Sequence, residues 1–319
     1  MGRIAVTGSV AFDTIMEFAG RFGDHILPEK TRELNVAFLV ERLEKRRGGT
    51  AANIAFSMAL LGERPVLCAA VGGGDFVDYA AALEADGVDT SGVLTCHDIT
   101  TATAFITTDR DGNQITAFYP GAMARAAGVD LGGLAGVSEV VVGADDAEAM
   151  ALHVEQAGSL GARLVFVPAQ QIPAMSDAVL RRGLDQAWLV GGNDYEFEMI
   201  RDRTGLSIDS LSASRMVAVT RGAAGSELHT PDGVSAIPAA PVTEVVDPTG
   251  AGDAYIAGVV TGFRAGASPD VAGRMGSLAA AYVVEQRGPQ RHRFDLASFR
   301  ERYAESFGAS LELRSEVGA

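Results

Sequence analysis

Cysteine, tryptophan and lysine are scarce in this chain of 319 residues. The two cysteines, Cys68 and Cys96, make neither a disulfide framework nor a zinc cluster, and they suit a reducing cytoplasm. No window approaches the roughly 18 consecutive apolar residues of a membrane span. The opening MGRIAVTG reads directly as a strand and lacks the charged-then-apolar layout of a signal peptide. Val6 stands where a myristoylation signal needs Ser or Thr. The expectation is a cytoplasmic protein that keeps off membranes. Lys30 and Lys45 are the two lysines, against 24 arginines, and neither lies in a G-x-x-x-x-G-K-[ST] loop. That excludes a Walker-type nucleotidase, and neither lysine follows a protein-kinase glycine loop. No G-x-G-x-x-G follows the first strand, which argues against a Rossmann dehydrogenase.

Acidic residues number 41 against 26 basic ones, for a net charge of −15. A nucleic-acid duplex or an anionic membrane is repelled on average, although a local basic patch can still hold a small anion. Hydrophobic residues make up 47% of the chain, enough for a sizeable core. The length fits about two domains, or one large α/β domain with an appendage.

Along the chain, the apolar stretch Arg3–Asp13 reads as a buried strand ending in a polar turn. A helix is expected over Thr50–Leu61, with Ile54, Met58 and Leu61 on one face and Gly48-Gly49 opening onto its N-terminus. Strands at 65–72, 138–144, 163–169, 187–193 and 215–222 then alternate with helices at 76–87, 146–161, 176–183 and 194–205. Such alternation predicts an α/β fold with a doubly wound, mostly parallel sheet. Residues 101–122 carry two β-rich runs around Arg110–Asn113, a hairpin signal, and 225–239 form a second hairpin around Pro231–Gly233. With residues 14–47, the first hairpin is expected to make a small separate β-sheet inserted into a core of 1–13, 48–100 and 123–319. Helices are expected at 250–265, 269–287 and 295–306.

The sharpest feature is VVDPTGAGDAYIAGVVTGF, residues 245–263. The small residues Gly250, Ala251 and Gly252 expose backbone N–H groups at a helix N-terminus, where the dipole also favours an anion. A carboxylate placed directly after such an anion hole repels the anion. Asp253 makes sense there as a base that takes a proton from a hydroxyl while the N–H groups steady a phosphoryl group in flight. The plainer alternative is an Asp helix cap with glycines for tight packing.

Asp247–Asp253 resembles the C-terminal signature of the ribokinase-like (PfkB) family of sugar and nucleoside kinases. Gly48-Gly49-Thr50-Ala51-Ala52-Asn53 resembles that family's glycine pair, and Gly73-Gly74-Asp75-Phe76 its G-x-D-x-F segment. The likeness runs from about residue 3 to about residue 290, with the motifs in the family's order. It implies a ribokinase-like core that binds ATP, under a small β lid. It also implies Asp253 as general base, with Gly250, Ala251 and Gly252 as the anion hole. Asn193 and Glu196 match an N-x-x-E motif that organises Mg²⁺, which prefers few carboxylates and several waters. Asn193, Thr220, Gly222 and Gly225 would line the ATP site. Asp13, with Ser9, Gly49 and Asn53, would hold the sugar hydroxyls. Asp247 and Thr249 stand where many members hold a monovalent cation such as K⁺.

The acceptor could be a free sugar, a sugar phosphate or a nucleoside. No lysine-rich motif marks a sugar phosphate. A nucleoside needs a planar apolar slot, which Phe105 and Phe118 could supply, with Gln170 or Gln171 reading the base edge. The segment Phe118–Met123 with Gln170-Gln171 resembles bacterial adenosine kinases of this group. Pro168-Ala169 departs from the Asp that many relatives carry there. The expected activity is ATP- and Mg²⁺-dependent phosphorylation of the 5′-hydroxyl of adenosine or a related nucleoside. The alternatives are a sugar kinase on the same machinery and a non-catalytic nucleotide-binding regulator. The resemblance also implies a homodimer joined through the lids.

Overall fold

The computed structural model describes residues 2–26 and 35–312. Residues 27–34, part of the expected insertion, lie outside the described residues. The larger sheet has eight strands. In chain order they are β1 (Arg3–Thr7), β4 (Val66–Cys68), β9 (Val137–Val142), β10 (Arg163–Phe166), β11 (Ala187–Asn193), β12 (Met216–Thr220), β13 (Ser226–Thr230) and β14 (Gly233–Ile237). Their spatial order is β14-β13-β12-β11-β10-β9-β1-β4. Pairing is parallel from β4 to β12, and the β13–β14 hairpin adds an antiparallel edge.

Successive strand residues feed opposite faces. Val140 and Val142 join one core cluster, whereas Val141 joins the other. The first cluster is closed by α4 (Ala147–Ser159), α5 (Asp177–Gln186) and α6 (Asp194–Thr204), the second by α2 (Thr50–Leu60), α3 (Val77–Ala85) and α8 (Ala251–Arg264). Both faces are thus covered, as the near-continuous apolar strands require. The expected doubly wound α/β fold is met. The remaining helices are the short α1 (Phe22–His25) and α7 (Ile208–Ser212), with α9 (Pro269–Val284) and α10 (Leu296–Phe307) packed beyond α8. No helix among the described residues is long and apolar enough to cross a membrane.

Two strand expectations need correction. Arg3–Asp13 is two strands, because Gly8 adopts φ +143° and turns the chain out of the large sheet. The second of them, β2 (Ala11–Glu17), carries Asp13 in its interior and belongs to a smaller sheet. Residues 65–72 also divide: the chain leaves the large sheet after β4, and β5 (Ala70–Gly72) pairs with β6 (Leu94–Cys96).

The smaller sheet has the order β3-β2-β7-β8, with β3 at Arg42–Gly48, β7 at Ala102–Thr108 and β8 at Gln114–Tyr119. The β7–β8 pair is the hairpin expected at 101–122. Its register decides which side chains share a face. Arg46, Asp13, Ala104 and Phe118 form one cross-strand row, and Lys45, Thr14, Phe105 and Ala117 form the next. Adjacent rows point to opposite faces. Phe118 therefore lies on the Asp13 face and Phe105 on the other.

Candidate active site

Strand order reverses between β1 and β9, and such switch points are where doubly wound sheets bind ligands. A cavity of about 380 Å³ opens there, lined by Ser9 just beyond β1 and Ala144 just beyond β9. Gly49, Thr50 and Asn53 reach it from the start of α2, and Thr249, Gly250 and Asp253 from the start of α8. Asp13 and Phe118 come from the smaller sheet, and Gln170 and Gln171 from a short 3₁₀ turn after β10. Ala169, at the start of that turn, has φ +44°, the left-handed region for a residue with a Cβ. Residues far apart in sequence thus share one space.

Phe105 is the exception among the expected acceptor contacts. It is 43% exposed on the outer face of the smaller sheet and does not reach the cavity. The alternation along β7 fixes that direction, and it could be read only once the pairing partners were known.

At the cavity floor, Asn53 Nδ2 donates to Asp253 Oδ2 at 2.8 Å. Burial pushes the Asp253 carboxyl up to about 7; the Asn53 hydrogen bond opposes this and the charge of Glu196 adds to it. Asp13 is likewise raised by burial, against the pull of Arg46. Gly250 caps α8 with φ +82°, and a Cβ there would sit 2.4 Å from Pro289 Cβ. The three N–H groups expected to form the anion hole are not equivalent. That of Ala251 turns back to the Pro248 carbonyl at 3.1 Å. Gly252 lies in the first turn of α8, where N–H groups lack an intrahelical partner.

Several expected ligands also serve the fold. The Ser9 hydroxyl accepts the Thr50 N–H at 3.1 Å and so caps α2, whose own cap residue is glycine. Asn193 and Glu196 form a capping box at α6: Asn193 Oδ1 accepts the Glu196 N–H at 2.8 Å, and Glu196 Oε2 accepts the Asn193 N–H at 2.9 Å. The box uses one lone pair of the Asn193 oxygen and leaves Glu196 Oε1 outside it. Burial raises the Glu196 carboxyl. Asp247 Oδ1 accepts the Thr249 N–H at 3.0 Å, while Oδ2 accepts from Arg46 and from the Gly288 N–H. Asp247 thus ties the start of this turn to Arg46 and to the Gly288 backbone. Asn193 ends β11 in register with Thr220 at the end of β12, and the Gly222–Ala224 turn and Gly225 follow. These residues lie outside the cavity lining, and Arg221 beside them pairs with Glu227.

A model of the pfkB family of carbohydrate kinases matches residues 6–293. The chain belongs to that family. It is 32% identical over 311 residues to a nucleoside kinase of Methanothermobacter thermautotrophicus, covering 96% of both proteins. A nucleoside kinase of Methanocaldococcus jannaschii is 30% identical over 295 residues, with 91% of this chain and 93% of that protein covered. Among solved structures, the Burkholderia thailandensis nucleoside kinase in complex with inosine superposes with a TM-score of 0.86 at 35% identity. That match covers 96% of this chain and 99% of that one.

Within this pfkB-family site, sequence reasoning missed the segment after α9. Pro289 closes the cavity beside Gly250, and Gln290 lies buried behind Asn53. Gly288-Pro289 reads as an ordinary turn in the sequence, and nothing local signals that it docks against a residue more than 200 positions earlier.

Proposed function

We propose that the chain transfers the γ-phosphoryl group of ATP to the 5′-hydroxyl of adenosine or a close nucleoside. The observation that carries this reading is the composition of the cavity at the switch point. Its lining combines acceptors for ribose hydroxyls (Asp13), an aromatic face (Phe118), two amides (Gln170 and Gln171) and a carboxyl near neutrality (Asp253). A base with a pKa near the working pH is suited to take a hydroxyl proton. The nucleoside kinases matched over nine-tenths of both lengths, and the inosine held by the Burkholderia enzyme, support a nucleoside over a free sugar. Asp253 would take the acceptor proton as the Gly252 N–H meets the charge on the transferring group.

Magnesium fits as a companion of the nucleotide. No group of three metal-ligating side chains occurs among the described residues. Mg²⁺ keeps several waters and binds through one carboxylate plus substrate phosphates. Glu196, through Oε1, and Asn193, through the second lone pair of its oxygen, would hold the ion and its waters, and the ion would neutralise phosphate charge.

The stacking slot predicts a ranking. Adenosine should exceed ribose in kcat/KM by the stacking term, roughly 1–3 kcal/mol per base. Phe118→Ala should erase that preference while leaving any ribose activity in place. Steady-state rates with both acceptors check this. Higher kcat/KM for ribose or fructose than for any nucleoside would instead establish the sugar-kinase reading. Nucleotide binding without turnover of any acceptor would establish the regulator.

The outer face of the smaller sheet is proposed to join two copies. Leu43, Phe105, Ile115 and Tyr119 are all exposed on that face, away from Phe118. An exposed apolar sheet face of this kind marks an interface. Light scattering should give a dimer at micromolar concentration, and Phe105→Arg a monomer. A monomeric wild type would refute the assembly.

A further inference from the structure

Behind the candidate base runs a file of buried hydrogen bonds with a single direction. The Gly48 carbonyl can only accept, so the Tyr79 hydroxyl donates to it, at 2.8 Å. Tyr79 Oη is then left to accept, and Gln290 Nε2 donates to it at 2.5 Å. The same Nε2 donates to Asn53 Oδ1 at 2.8 Å. With its oxygen occupied, Asn53 presents Nδ2 to Asp253. The backbone carbonyl thus dictates which way each amide lies. Gln290 is 3% exposed, and its Oε1 is buried without a partner among the described residues. A buried orphan acceptor is a cost that an apolar residue of the same shape would avoid, so packing alone does not account for a glutamine here.

We propose that Gln290 is a positioning residue: it locks the Asn53 amide with its N–H toward Asp253, which keeps the carboxylate oriented and ionised for proton abstraction. The catalytic part of this inference rests on the reading of Asp253 as the base. Without Gln290 the Asn53 amide is free to turn over and set its oxygen against the carboxylate. A lost donor disfavours the charged form of Asp253. Glu196 is the other charged group that acts on Asp253, and it is untouched by the variants below.

The experiment uses the full-length protein and two variants, Gln290→Met and Tyr79→Phe. Carbon-13 NMR of labelled aspartates follows the Asp253 carboxyl through its titration, with the resonance assigned by its absence in Asp253→Asn. In Gln290→Met the Asp253 midpoint should rise by about one pH unit. In Tyr79→Phe it should rise by less, since Gln290 loses only its anchor. With ATP, Mg²⁺ and adenosine, single-turnover rates of Gln290→Met should fall about tenfold. The loss should be greatest at low pH and shrink as pH rises, with ADP affinity unchanged. An unmoved Asp253 midpoint in both variants overturns the proposal, as does a rate loss uniform across pH. If Gln290→Met fails to fold, Tyr79→Phe alone decides by the same midpoint. The NMR midpoint does not depend on Asp253 being the base. If it moves while Asp253→Asn keeps normal turnover, the base reading falls and the positioning of the carboxyl stands.

Discussion

Asp253→Asn should lower kcat by about 10²–10⁴ while the protein still binds ADP, the range expected when a positioned general base is removed. The replacement keeps the shape and a partner for Asn53 but has no proton-accepting carboxylate. The same variant should be more stable than the wild type above mildly acidic pH. Burial holds the folded Asp253 pKa near 7, well above its ordinary value of 3.8. Between those two values the folded state binds the proton and the unfolded state does not, so wild-type stability falls as pH rises across that window. Asn does not titrate. The melting-temperature advantage of the variant should therefore grow from about pH 4 to about pH 7 and then level off. Asp145, which burial also raises to about 7, is present in both proteins and cancels in the comparison. Calorimetry across the range, with turnover measured at each pH, tests both halves. Normal turnover with adenosine and with sugars removes Asp253 from the chemistry. A flat stability difference says that its carboxyl is not held protonated.

Local sequence pattern located the elements but not their turns of direction. The alternation of apolar runs after residue 130 reproduces β9 to β12 and their helices, because strands buried on both faces are near-continuous apolar stretches. It failed at Arg3–Asp13 and at 65–72, where β-rich text runs unbroken through a point at which the backbone changes sheets. The large sheet and the smaller sheet ask for the same residue types, so composition cannot mark the crossing. The site shows the same division. Asp253, Gly250 and Gly252 are legible because their chemistry lies within four residues. Whether Phe105 or Phe118 faces the cavity depends on strand register with β2, and the Gln290–Asn53 contact depends on the whole fold. The capping box of Asn193 and Glu196 was legible as a pattern, and the structure shows its hydrogen bonds formed.

Gly252→Ala should leave the fold intact and cut phosphoryl transfer by about 10²-fold or more, comparable to the loss of one oxyanion donor. The two glycines of this turn separate the structural from the functional requirement. Gly250 is demanded by the backbone, with φ +82° and Pro289 2.4 Å from a built Cβ, so its replacement would damage folding and activity together. At Gly252 the backbone makes no such demand: its φ is not left-handed, and a Cβ would meet no atom within 4 Å. Alanine in a helix is in fact favoured over glycine by about 0.5–1 kcal/mol, so the variant should melt slightly higher. A glycine that the fold does not need, exposed at a helix N-terminus beside the candidate base, leaves room for something that approaches the backbone closely. A methyl group there would hold a phosphoryl group away from the N–H while leaving the acceptor cavity unchanged, since Gly252 does not line it. The expected signature is a large fall in kcat with an unchanged acceptor KM and a raised melting temperature. Full activity in Gly252→Ala would mean that the transferring group does not pass over the start of α8, and the anion hole would have to be sought elsewhere.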